Sequence, residues 1–100
     1  MQTVYGRQLT AARALAGITI ADLAREAGVT MRTVHRLERT PLIHFSDRLS
    51  RGRVTRSTWE SITTALRSLD VELVPAGKGH GAGARWISPA GAARELGARQ

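Results

Sequence analysis

The chain predicts a mainly α domain of four to five helices, closed by a C-terminal β-hairpin. Three observations carry that expectation. Between Thr19 and Glu38, two short stretches of helical apolar period flank a glycine. A third such stretch begins at Trp59. After Asp70 the pattern changes to β-type residues, Val71-Glu72-Leu73-Val74, followed by a glycine-rich break and a second short run at Arg85-Trp86-Ile87.

The first helix is read over Met1 to Ala16. Tyr5, Leu9, Ala12 and Ala16 share a face, Leu15 borders it, and Gly17 stops the helix. Gly6 is a weak point in the first turn, so a frayed start is expected. In the second helix Ile20, Leu23, Ala24 and Ala27 recur at i, i+3, i+4 and i+7. Thr19 with Asp22 forms a capping-box pattern before it. Gly28 stands where the chain must take positive φ to leave the helix, and Val29 gives the turn an apolar foot.

Thr30 caps a third helix, Met31 to about Arg39, whose surface is lopsided. Val34 and Leu37 call for burial, while Arg32, His35, Arg36 and Arg39 lie opposite at about 3.6 residues per turn. The guanidinium fork matches guanine O6/N7 and phosphate oxygens, and a helix of this size fits the major groove of B-DNA.

Thr40 to Arg56 is a long connection. Pro41 ends the third helix or starts a new turn. Leu42, Phe45 and Leu49 have helical spacing, which predicts a short extra helix over Leu42–Leu49. Arg48, Arg51, Arg53 and Arg56 follow, and they suit a phosphate clamp beside the groove. From Arg25 to Arg56 the chain places eight of its fifteen basic residues against three acids, Glu26, Glu38 and Asp47. Ser57 and Glu60 then read as a capping box for a helix whose stripe is Trp59, Ile62, Leu66 and Leu69. Trp59 suits packing rather than base stacking, since no aromatic cluster surrounds it. Pro75 to Ala84 is a glycine-rich hairpin connection without a phosphate-loop pattern. Residues 88–100 read as a flexible tail.

The span Val4 to Val74, most closely over Ala12–Glu38, resembles the phage-repressor and Cro-like (XRE) helix-turn-helix transcriptional regulators. The matching residues are Ala11-Ala12-Arg13-Ala14-Leu15, Leu23-Ala24, Ala27-Gly28-Val29-Thr30 and Arg36-Leu37-Glu38. The resemblance implies a lambda-repressor-like DNA-binding domain over residues 1–74. It also implies a structural pair between Arg13 and Glu38. The hairpin of residues 71–87 is read as a dimerisation element, because two short strands are marginal alone and their open edges call for cover. Members of that family commonly begin the second helix with Gln; Ile20 stands there here, so that phosphate contact is absent or falls to the helix N-terminus.

A formal net charge of +7 points to a polyanionic partner. The chain has no cysteine, so it has neither a disulfide framework nor a thiolate metal site. No apolar run reaches membrane-spanning length, and the expectation is a cytoplasmic, nucleoid-associated bacterial protein. No HExxH, GxSxG or paired-carboxylate spacing is present, and His35, His44 and His80 are scattered. No enzyme activity, metal or cofactor is therefore expected.

The expected partner is double-stranded DNA, bound by a homodimer that represses transcription from a palindromic operator. Met31, Arg32, Thr33, His35 and Arg36 are the expected base-contacting residues. Thr19, Thr30, Arg39, Arg48, Arg51, Arg53 and Arg56 are the expected phosphate contacts. Val71, Leu73, Trp86 and Ile87 are the expected dimer contacts; in the competing arrangement the hairpin folds back on its own chain. An antitoxin that also binds a toxin, and a protein-interaction module on the same scaffold, are the alternatives.

Overall fold

The structure, a computed structural model, describes residues 3–46 and 54–89. The expectations for Arg48, Leu49, Arg51, Arg53 and most of the tail fall outside those residues. The elements run β1 (Val4–Tyr5), α1 (Gly6–Ala16), α2 (Ile20–Ala27), α3 (Met31–Glu38), β2 (Leu42–Ile43), β3 (Phe45–Ser46), β4 (Val54–Thr55), α4 (Arg56–Ser68), β5 (Val71–Val74) and β6 (Gly83–Trp86). The domain is mainly helical. No helix among the described residues is long and apolar enough to cross a membrane.

The apolar stripes meet in one core. Leu9 of α1, Leu23 of α2, Val34 of α3, Ile62 and Leu66 of α4 and Val71 of β5 lose essentially all access to solvent. Burying each such side chain contributes about 1.5–3 kcal/mol against the entropy of ordering the chain. The helices differ in how they begin. Thr19 and Thr30 accept from the amides of Asp22 and Thr33, both at 3.1 Å. At α4 the cap is Thr55, which accepts from Thr58 N at 3.2 Å. The box expected at Ser57 and Glu60 thus lies two residues too late, because pairing of Thr55 in β4 with Ser46 in β3 holds Thr55 extended just before the helix.

Two expectations about the N-terminal helix are corrected. Helix α1 starts at Gly6, and the residues before it form β1, which pairs antiparallel with β2 as Val4↔Ile43 and Tyr5↔Leu42. Tyr5 is therefore exposed rather than part of the apolar face. Gly6 is not a point of fraying. Its amide donates to Thr40 O at 3.0 Å, and an added Cβ would lie 2.8 Å from Glu38 O and closer still to Thr40 O and Leu37 O. Glycine is required there because the start of α1 touches the backbone at the end of α3.

The extra helix expected from Leu42 does not form over its described part. Leu42–Ile43 and Phe45–Ser46 are strands instead, the second pairing parallel with β4. Ile43 is buried beside Val4, and Phe45 meets Trp59 edge-on with ring centroids 5.6 Å apart. Pro41 keeps the preceding residue out of the helical region, and these tertiary pairings outweigh the local spacing.

The hairpin β5–β6 pairs from Val71↔Trp86 to Val74↔Gly83 and packs on α1 and α4 of its own chain. Asp70 enters it at φ 66°, with its carbonyl accepting from Ile87 N at 2.8 Å and Oδ2 accepting from Ser88 Oγ at 2.8 Å. Val71, expected at a dimer interface, is fully buried in this core, so its side chain is closed to a partner. Leu73 and Trp86 are half-buried against the same core, and Ile87 stays exposed. Trp59 packs against the core as well.

Replacing Gly6 by Ala is expected to destabilise the fold by about 3 kcal/mol, the upper end for overpacking, because the colliding atoms are backbone carbonyls. Urea unfolding followed by circular dichroism measures it; a loss below about 0.5 kcal/mol, the scale of neutral surface changes, would show that the contact yields freely.

Candidate nucleic-acid interface

Helix α3 is eight residues long, too short to be stable alone in water, so its surroundings decide its position. Three contacts hold it. The first is the turn from α2: Gly28 adopts φ 70° and ψ 31°, and Val29 N donates to Ala24 O at 2.9 Å. That bond closes α2 and reverses the chain in two residues, which a Cβ at Gly28 would strain. The second is the buried pair Val34 and Leu37. The third is an ion pair with α1.

In that pair Arg13 Nε donates to Glu38 Oε2 at 2.8 Å and Arg13 Nη2 to Glu38 Oε1 at 3.2 Å. Arg13 Nη1 also donates to Ile18 O at 3.1 Å, and Thr10 Oγ1 donates to Glu38 Oε1 at 2.9 Å. One guanidinium thereby joins α1, the α1–α2 connection and α3. The hydrogen bond to Glu38 raises the Arg13 pKa, against the opposing effect of burial. Thr10 was not among the expected partners. Its place one turn before Arg13 is the only local hint of it.

With its inner side occupied, α3 turns Met31, Arg32, His35, Arg36 and Arg39 outward, all exposed. Thr33 is half-buried, and its hydroxyl lies 2.9 Å from that of Thr30. Both threonine hydroxyls are thus engaged in the cap. Thr19 plays the same part at α2, where its oxygen and backbone amide exchange hydrogen bonds with Asp22 at 3.1 Å each. Its backbone bond to the Asp22 carboxylate, followed by its hydroxyl bond, holds the Asp22 pKa below the usual carboxylate range. Arg25 is paired with Asp22 at 2.9 Å. Arg56 lies exposed at the start of α4. Arg48, Arg51 and Arg53 belong to the span outside the described residues.

Gln8 was also missed. It is 5% exposed, accepts from Tyr5 N at 2.8 Å, and donates to Val74 O at 3.0 Å and Gly83 O at 3.1 Å. Its position three residues after a helix cap was a readable signal for the first bond. Nothing local announces the other two, which reach across 66 and 75 residues. Through them α1 is tied to the last pair of the hairpin, and the helix that carries Arg13 is fixed on both sides.

Among the described residues no three His, Asp or Glu side chains gather as a metal-binding group. What the surface offers is an eight-residue helix with cationic side chains and one thioether outside. Comparison of the chain with known protein families, with curated proteins and with solved structures finds no match.

Side chains of Arg13 and Glu38 are 23% and 7% exposed. Removing one partner strands the other, so Glu38→Ala is expected to cost about 1–3 kcal/mol, below the range for a fully buried pair because Arg13 reaches solvent. Arg13→Ala combined with Glu38→Ala should cost less than the sum of the single changes, with a coupling of about 1–2 kcal/mol. Equilibrium urea unfolding of the four proteins in the cycle tests this; strict additivity would mean that the pair does not hold α3.

Proposed function

We propose that the chain is a sequence-specific DNA-binding protein that regulates transcription, with α3 lying in the major groove. The observation that carries this reading is the division of α3. Val34 and Leu37 are 0% and 3% exposed, while Met31, Arg32, His35, Arg36 and Arg39 are all on the outside. On this reading α2, the Gly28 turn and α3 make up a helix-turn-helix, in which the second helix reads bases from its N-terminal part. Arg32 and Arg36 are the candidates for guanine. Arg39, one turn further, suits a phosphate, as do Arg48, Arg51, Arg53 and Arg56 after it. Capping engages the Thr19 and Thr30 hydroxyls, so the contact at these positions falls to the helix-terminal amides.

An eight-residue helix covers only a few base pairs. Two copies on a palindrome supply the rest, and occupancy of a promoter by such a dimer represses by exclusion. With Val71 withdrawn into the core, Ile87, Leu73 and Trp86 remain as the apolar surface of the hairpin for a two-fold contact.

Selection of bound sequences from random DNA is the first test, and it should return a palindrome with half-sites about one helical turn apart. On that sequence Arg32→Ala or Arg36→Ala should cost about 1–3 kcal/mol and relax preference at one position of each half-site. Arg39→Ala should weaken all sequences alike and reduce the salt slope by about 1. Equal losses on selected and random DNA for every variant would show that α3 is not the reading helix.

For the dimer, sedimentation equilibrium of the full chain should give two protomers. Ile87→Lys should shift it toward monomer and weaken binding to the palindrome while sparing a single half-site. A wild-type monomer with the same affinity for half-site and palindrome would rule the two-fold out.

A further inference from the structure

The outward face of α3 carries Arg32, His35, Arg36 and Arg39, with Met31 at its first residue. Met31 is 55% exposed, more than Tyr5, Leu42 or Ile87, the other exposed large hydrophobics among the described residues. Those three have apolar or strand neighbours: Tyr5 faces Leu42 across β1–β2, and Ile87 continues β6. Met31 is not among the partly buried hydrophobics packed against the core. On the helix its i+3 neighbour is the buried Val34 and its i+4 neighbour the exposed His35, while Arg32 and Arg36 are exposed beside them on α3.

The cap of α3 comes from Thr30, which accepts from Thr33 N at 3.1 Å, and not from Met31. A single exposed apolar side chain is ordinary on a protein surface. Here, however, it stands at the N-terminal end of the face that points outward, the end from which a recognition helix touches base edges. The hydroxyls of Thr30 and Thr33, beside it in the first turn, lie 2.9 Å apart and bond to each other in the cap. The first residue of α3 presents a thioether chain where the exposed Arg32, Arg36 and Arg39 that follow present hydrogen-bond donors. In the major groove the one apolar group on a base edge is the C5 methyl of thymine. Methionine suits it, being unbranched, polarisable and able to adjust to a partner's position.

We propose that Met31 is a specificity-determining residue that selects thymine, through its C5 methyl group, at one position of each half-site. The proposal rests on the reading that α3 enters the major groove. Arg32 and Arg36 would set the guanine positions, and Met31 would add a contact that no hydrogen bond supplies.

Deoxyuridine scanning of the selected DNA tests it. Each thymine is replaced in turn by deoxyuridine, which removes the methyl and keeps every pairing and groove hydrogen bond. Affinities are measured for the full chain and for Met31→Ala, whose circular dichroism should match the wild type because the side chain is exposed. For the wild type, one thymine in each half-site should lose about fourfold in affinity on replacement, the factor that corresponds to ~0.8 kcal/mol for one methyl group. Met31→Ala, which removes the contact in both half-sites of a dimer, should lose about the square of that factor on the unmodified site and be indifferent to deoxyuridine at that position. Met31→Leu should keep part of the preference. Wild-type binding unchanged by deoxyuridine at every thymine would overturn the proposal and leave the DNA-binding reading standing. So would a Met31→Ala protein that keeps the full sensitivity. Failure to select any DNA sequence would instead remove the reading on which the proposal rests.

Discussion

Everything outward on α3 depends on how its inner side is held against α1. Two contacts of different kinds do this. At Gly6 the backbones themselves touch, so the end of α3 cannot move closer to or further from the start of α1 without losing the Gly6–Thr40 hydrogen bond. At Arg13 and Glu38 an ion pair fixes the rotation of the helix, because the guanidinium is planar and already committed to Ile18 O. Apolar packing of Val34 and Leu37 alone is non-directional and would tolerate some roll. A roll of α3 would move Met31, Arg32 and Arg36 together by distances that matter for hydrogen bonds.

Helix α1 is accordingly the hub of the molecule rather than an N-terminal appendage. Four of its residues, Gln8, Leu9, Ala12 and Arg13, divide its contacts. Leu9 and Ala12 enter the core, Arg13 holds α3, and Gln8 holds the hairpin. A two-stranded hairpin is marginal by itself. Here it is supported by α1 and α4 and by the buried Gln8 amide, which would be costly to leave unpaired. The hairpin and α3 thus share one support, and a disturbance at either end of α1 reaches both.

The surface of α3 joins two kinds of chemistry. Arginines offer strong, directional bonds to anions and to guanine; Met31 offers adaptable apolar contact. Two acids of α2 and α3 are committed inward or sideways, Glu38 to Arg13 and Asp22 to Arg25 and the Thr19 cap, while Glu26 lies exposed on α2. Cations drawn close together on one short helix repel each other, and a polyanion relieves that repulsion.

Local chemistry made much of this legible in the sequence. Helices α2 and α3, the Thr19 and Thr30 caps and the Gly28 turn follow from side chains acting on backbone within a few residues, and the burial of Val34 and Leu37 follows from period alone. Arg13 with Glu38 followed from the resemblance to a family, not from spacing. What the tertiary structure decided was each place where a distant segment outbid a local preference. Leu42 to Phe45 carries helical spacing, yet pairing with Val4 and Val54 makes it extended. Gly6 looked like a weakness in a helix, and its use becomes visible only when the carbonyls of Leu37, Glu38 and Thr40 lie against it. Val71 looked like an exposed strand residue available to a partner, and α4 and α1 bury it. The physical reason is common to all three. Local pattern records which side chains seek burial and which backbone groups a neighbour can cap, whereas the identity of the covering surface is a property of the packed chain.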